Sequence, residues 1–182
     1  MRNKFDELFS FVKREGKDDL LKHLERIGYF TAPASSKFHL ADGGGLLEHS
    51  VNVATLMINL APTLKMDVGN NWESIVIAGL FHDIGKASYY GKANYVENIL
   101  KSGKVSAAKP YEVNKDRLSI PHEVASIHIL SQHIELTEDE TFAILYHNGL
   151  YTPTGYAVKG NETELYCLLH FADLWSSRIT EG

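Results

Sequence analysis

The run from Leu80 to Ala87, LFHDIGKA, ends an apolar helical stretch on His82 and Asp83. Two metal-binding side chains are thereby committed to a place where unpaired polar groups are costly. A chain that does this must bring partners to the same spot. Isolated histidines and one further aspartate recur at matching helix positions elsewhere, as His49, His122, His147 and Asp173.

Helical periodicity dominates the rest of the chain. Phe5, Leu8, Phe9 and Val12 mark a first helix, and Leu20, Leu21, Leu24 and Ile27 a second that ends near Gly28. A loop to Gly45 leads into a long helix from about Leu46 to Leu60, which Pro62 closes. Gly43-Gly44-Gly45 lacks the GK[ST] ending of a phosphate-binding loop and reads as a flexible turn feeding that helix. Another helix is expected from about Trp72 to Lys86. Residues 89–120 are irregular and polar, with room for a short hairpin or a lid. A helix follows from His122 to His133. Thr137 and Glu140 have capping-box spacing, so a helix starts there and ends by Gly149. After a loop holding Pro153, Gly155 and Gly160, Asn161 with Glu164 is expected to cap a last helix reaching Ser177. The pattern is all-α with one polar insertion, and the length suits a single domain over residues 1–182.

Each candidate ligand sits on, or at the edge of, an apolar helical stripe. His49 shares a face with Val53, Leu56 and Leu60; His82 follows Ile75 and Gly79; Asp83 follows Val76 and Gly79; His122 leads to Ala125 and Ile129; His147 follows Ala143 and Ile144; Asp173 follows Leu169. One such histidine is ordinarily a core residue bonded to a carbonyl. Six polar groups, two of them acids, are not explained that way, because the chain offers no inward arginine or lysine for each aspartate. A shared metal resolves the conflict, since it takes deprotonated imidazoles and carboxylates together.

The order His49, His82-Asp83, Asp173 resembles the H…HD…D signature of the HD-domain metal-dependent phosphohydrolase superfamily. APASSKFHLADGGGLLEHSVNVA, from Ala32 to Ala54, is similar to the stretch around the first ligand in bacterial and phage HD hydrolases. It also resembles HD-type 3′–5′ exoribonucleases, as does the tail from His147 to Ser177, HNG…NETELYCLLHFADLWSS. The resemblance covers Tyr29 to Arg178. It implies an HD-domain helical bundle whose core spans 29–178, with residues 1–28 as added N-terminal helices. It further implies that His49, His82, Asp83 and Asp173 hold a first divalent metal, that His122 and His147 hold a second, and that Asp83 bridges the two. The chain departs from HD-GYP phosphodiesterases: no GYP follows the HD pair, and Asn148 rather than a second histidine follows His147, so cyclic di-GMP is not the expected substrate.

The implied reaction is hydrolysis of a nucleotide phosphoester or phosphoanhydride by metal-activated water, with Asp83 and Lys86 as catalytic residues and Lys86, His39 and Tyr151 at the substrate. Mixed imidazole and carboxylate ligands suit Mn, Fe, Co, Ni or Zn, one ion or two, with Mg as an accompanying ion rather than alone. Two rivals stay open: a 3′–5′ exoribonuclease-like phosphodiesterase, and a catalytically silent nucleotide-binding HD module. Net charge is −5 with no dense basic cluster, which argues against gripping long duplexes. A small nucleotide is therefore the expected partner, with single-stranded nucleic acid still compatible. His170, three residues before Asp173, either supports that ligand or is structural; His128 and His133 read as solvent-facing or capping residues, and His23 as an ordinary helix residue. Tyr89, Tyr90, Tyr95, Tyr111 and Tyr151 lie in loops, where they either border a pocket and stack a base or simply cover the core.

The N-terminus carries charges every few residues and lacks a signal-peptide core, and no apolar run approaches the ~20 residues needed to span a bilayer. The single cysteine, Cys167, has no intramolecular partner. A cytoplasmic protein without membrane partners is expected; oligomeric state is not legible.

Overall fold

Two helices form the centre of the molecule because the second half of one of them has no polar side. In the computed structural model, which describes residues 1–182 except for the side chain of Asn70, α4 (Val68–Phe81) buries Ile75, Val76, Ile77, Ala78, Leu80 and Phe81 completely. A helix apolar all round must be enclosed. On one side it packs against α3 (Gly45–Thr63). Gly79 makes that crossing close: a Cβ there would lie 2.6 Å from the Cα of Ala54 and 2.8 Å from its Cβ.

The N-terminal helices α1 (Arg2–Phe9) and α2 (Lys17–Arg26) close the other side. Phe5 and Phe9 stack at 5.4 Å and meet the ring of Phe81 edge-on at 6.2 and 6.0 Å. These residues, with Leu20 and Leu24, belong to one apolar cluster with Val76, Phe81 and Ile84. Full burial of each such side chain is worth about 1.5–3 kcal/mol. A second cluster joins Met57, Ile75 and Ala78 to Ala143 of α6 (Glu138–Tyr146) and to Leu168 and Leu169 of α7 (Glu164–Trp175).

Between these helices, α5 (His122–Ser131) packs on the turn Ile84–Lys86. The insertion does hold a hairpin: β1 (Tyr95–Glu97) pairs antiparallel with β2 (Tyr111–Val113), Val96 facing Glu112. Arg14 ties the N-terminal segment to α6 through a two-pronged contact, both nitrogens 2.6 Å from the fully buried carboxylate of Glu140. Among the described residues no helix is long and apolar enough to cross a membrane.

Three local expectations are corrected. Pro62 does not end α3, which runs to Thr63; Lys65, in the left-handed region at φ 60°, donates to the carbonyl of Pro62 while Met66 donates to that of Ala61. That paired closure stops the helix. The expected Trp72–Lys86 helix starts at Val68, stops at Phe81, and continues after His82 and Asp83 only as the tight turn Ile84–Lys86. Thr163, not Asn161, caps α7, its hydroxyl accepting from the Tyr166 N–H at 3.2 Å. In the Gly43–Gly45 turn, a Cβ on Gly45 would lie 2.1 Å from the Leu40 carbonyl oxygen, so the close approach there requires glycine. The capping box at Thr137 and Glu140 is present as expected.

Candidate metal centre

Five helices deliver the polar cluster from different directions. His49 projects from the second turn of α3, His82 and Asp83 follow the end of α4, His122 opens α5, His147 follows α6, and Asp173 lies near the end of α7. The stop at Phe81 matters here, because it releases His82 and Asp83 from the helix at the point where the other elements converge. A Cβ on Gly85 would lie 2.2 Å from the carbonyl oxygen of His122, so the absence of a side chain there lets α5 bring His122 up to Asp83.

Asp83 lies between two pairs of imidazoles. Its Oδ2 is 3.5 Å from Nε2 of both His49 and His82. Its Oδ1 is 3.0 Å from Nε2 of His122 and 3.6 Å from that of His147. Within the pairs, the Nε2 atoms approach to 3.3 and 3.4 Å. Asp173 joins the first pair, its Oδ1 3.2 Å from Nε2 of His49 and 4.0 Å from that of His82. His49, His82, Asp83 and His147 are almost wholly buried, whereas Asp173 reaches a cavity.

The other ring nitrogens fix which atoms face inward. Nδ1 of His82 donates to the Gly79 carbonyl at 3.1 Å, and Nδ1 of His147 to the Ile144 carbonyl at 2.7 Å. A carbonyl only accepts, so in the neutral rings Nε2 carries a lone pair pointed into the cluster. Nδ1 of His49 faces Glu181 at 2.9 Å, and Nδ1 of His122 faces Glu123 at 3.3 Å. Asn148 donates to Glu123 at 2.9 Å.

Burial and the neighbouring carboxylates pull the rings in opposite directions. Burial holds His82 down to about 3, so its ring stays neutral. Burial also opposes charge on His49, but hydrogen bonds to Asp173 and Glu181 overcome it and push the ring up to about 9. Burial would raise the Asp83 carboxyl, yet Lys86, His82 and His122 hold it well below the usual carboxylate range, and His49 does the same for Asp173. Oδ1 of Asp83 is buried with no aligned hydrogen-bond donor, although Nε2 of His122 is near.

An ordinary polar core does not leave such an arrangement. Inward ring nitrogens 3.3–3.4 Å apart and an orphaned buried carboxylate oxygen crowd acceptors together, which only a cation held among them, a proton or a metal ion, relieves. Two sets, His49, His82 and Asp173, and His82, Asp83 and His147, each have donor atoms within 4.8 Å of one another. Nitrogen and oxygen donors in these numbers, each oriented by a further acceptor, fit a divalent transition metal.

All six sequence-derived ligand candidates therefore meet. Lys86 is nearby but engaged, its Nζ 2.6 Å from Oδ2 of Asp83, so Asp83 does have an inward cation; Asp173 pairs with histidines instead. The ring of His39 lies 5.1 Å from that of His49, and burial pushes it down to about 4. Its Nε2 is buried without a partner. His39, Lys86, Asn148, Asp173 and Arg178 line a cavity of about 540 Å3 at the mouth of the cluster. Tyr151, 68% exposed, lies on the rim beside Arg178. Tyr89 instead meets His128 at 2.9 Å in a separate recess. Sequence reasoning missed Glu181, Glu123, Asn148 and Arg178. Glu123 and Asn148 each adjoin a ligand candidate in sequence, a signal that was available; Glu181 follows the last helix, where no periodicity marks an inward position.

No solved structure matches the chain. The chain is 28% identical over 152 residues to the dihydroneopterin 2′,3′-cyclic phosphate phosphodiesterase of Methanocaldococcus jannaschii, a match covering 82% of this chain and 53% of that protein. The chain thus spans about half the length of the curated relative it matches. The HD domain family model matches residues 46–173, a span that includes His49, the His82-Asp83 pair and Asp173. With its helical bundle and this match over more than half its length, the chain belongs to the HD domain family.

Proposed function

We propose that the chain is a metal-dependent phosphohydrolase that hydrolyses a phosphoester or phosphoanhydride of a small nucleotide. The observation that carries the reading is the placement of Asp83, one oxygen toward His49 and His82 and the other toward His122 and His147. In this proposal His49, His82, Asp83 and Asp173 hold one divalent ion, and Asp83, His122 and His147 hold another. Bound there, such ions supply positive charge to a phosphoryl group and acidify a water.

The protein's own groups do the remaining work. Asp173, the carboxylate of the cluster that borders the cavity, orients the attacking water. Lys86 keeps Asp83 ionised; burial opposes charge on its own ammonium, but the neighbouring Asp83 carboxylate outweighs that and keeps it protonated. Arg178 and His39, on the cavity wall, bind the phosphoryl oxygens. Apolar packing beneath the cluster keeps bulk water from the ligand side of the rings.

The Methanocaldococcus jannaschii relative, a 2′,3′-cyclic phosphate phosphodiesterase, favours including 2′,3′-cyclic phosphodiesters among the substrates. We further propose that residues 1–182 form one folding unit, since α1 and α2 share the core of α3 and α4, and that the protein is cytoplasmic. The test is a substrate panel on chelator-stripped protein reloaded separately with Mn2+, Fe2+, Co2+, Ni2+, Zn2+ or Mg2+. Metal-dependent hydrolysis of a mononucleotide or cyclic nucleotide is the expected result. Trimming of RNA with no action on mononucleotides supports the exoribonuclease-like rival, and nucleotide binding without hydrolysis under any ion supports the silent module; either overturns the proposal.

A further inference from the structure

The segment after His147 builds a second feature beside the cluster. Gly149 adopts φ 54°, and a Cβ there would lie 2.6 Å from the ring of His170, so the chain turns directly against that ring. His170 in turn donates from Nδ1 to the carbonyl of His147 at 2.7 Å, and its ring lies parallel to that of Tyr166, with 5.8 Å between centroids. The backbone of a ligand candidate is thus tied to an aromatic wall.

Against that wall lies a cavity of about 580 Å3, bordered by Tyr151, Tyr156, Val158, Tyr166, His170 and Leu174. A recess of about 110 Å3 connects it to the cluster: it shares Tyr151 and His170 with the aromatic cavity and Asp173 and Arg178 with the mouth. Tyr151 and Tyr156 are 68% and 72% exposed, so their rings do not serve the core. The guanidinium of Arg178 sits 5.7 Å from the Tyr151 ring centroid, at the junction. Flat rings with polar edges, a volume within the range of small-molecule sites, and a cation at the phosphate end thus follow one another through shared wall residues.

We infer that the aromatic cavity is a subsite for a planar heteroaromatic ring, a nucleobase or a pterin, whose sugar or polyol arm carries a phosphate past Arg178 to the His/Asp cluster. The inference rests on the proposed hydrolase reading and names the substrate class of that same site. Tyrosine faces stack such rings without demanding one base. The parallel Tyr166 and His170 rings close one side of the cavity. Nε2 of His170, the acceptor nitrogen of the neutral ring once Nδ1 donates to His147, offers a hydrogen-bond partner to a ring N–H.

The experiment separates this subsite from the hydrolase reading by using ring-bearing ligands that carry no phosphate. Adenosine, guanosine and neopterin are titrated into the metal-loaded protein by calorimetry, with ribose 5-phosphate as the probe that lacks a heteroaromatic ring. The same titrations follow on Tyr156→Ala and on Tyr90→Ala, which alters an exposed tyrosine at the separate recess. Saturable binding of at least one ring-bearing ligand is expected, weakened about fivefold or more by Tyr156→Ala and unchanged by Tyr90→Ala, both variants melting like the parent. The nucleoside and neopterin arms tell the two ring sources apart. No binding of any ring-bearing ligand, or equal binding by Tyr156→Ala, overturns the subsite even if ribose 5-phosphate is hydrolysed. Ring binding that needs Tyr156, in a protein that hydrolyses no phosphoester, leaves the subsite standing and removes the hydrolase.

Discussion

Glu181 holds His49 from behind: one carboxylate oxygen is 2.9 Å from Nδ1 of the imidazole, and the other accepts from Asn52 at 2.9 Å. With Nδ1 committed, Nε2 faces Asp83 and Asp173. Carboxylates that orient metal-binding histidines in this way typically contribute 10–100-fold to metal affinity. Glu181→Ala is therefore expected to weaken Mn2+ binding by about 10–100-fold, measured by equilibrium titration, with little change in melting temperature of the metal-free protein. Unchanged affinity would show that the tail contact does not position His49.

The α3–α4 crossing sets how close His49 comes to His82. Gly79→Ala forces a methyl group against Ala54, where overpacking costs about 1–3 kcal/mol. Chemical denaturation is expected to show that loss, accompanied by weaker metal binding, because the strain separates the helices that carry the two imidazoles. A variant with parental stability and affinity would mean that the crossing is not tight.

Away from the cluster, His23 and His133 place their rings 4.6 Å apart. Burial, together with Arg26, holds both below the usual histidine value, and His133 adds to this for His23. A histidine pKa lower in the folded chain means that the unfolded chain takes up protons first. This contribution is fully present above about pH 6.5 and is lost as pH falls through the depressed folded values. Between pH 7 and pH 5 the parent should lose more melting temperature than a His23→Gln/His133→Gln variant. Equal losses would remove the pair as a source of acid sensitivity.

Much of this was legible because each ligand candidate lies on a helix whose apolar stripe marks the inward direction. His49 and Asp173 are read from their neighbours Val53 and Leu169, and the HD pair from the apolar run that precedes it. The exact helix ends were not legible. Lys65 stops α3 by adopting a left-handed conformation that glycine usually supplies, and Thr163, a favoured cap residue like Asn161, takes the cap two positions later, a choice that residue type alone does not make. Glu181 was hidden for a related reason: it reaches His49 from a turn beyond the last α-helix, and contacts 132 residues apart in sequence leave no periodic trace. Lys86 was visible, but its engagement with Asp83 was not, because the break after Phe81 turns it back onto that carboxylate.

The central claim is that Asp83 joins two metal-binding halves, His49 and His82 with Asp173 on one side, His122 and His147 on the other. It is tested most directly by counting bound Mn2+ per chain after equilibrium dialysis, for the parent and for Asp83→Ala, with circular dichroism confirming the fold. The account predicts two ions in the parent and loss of at least one in the variant. A parent that binds none at saturating Mn2+, or a folded Asp83→Ala that binds as many as the parent with equal affinity, would contradict it.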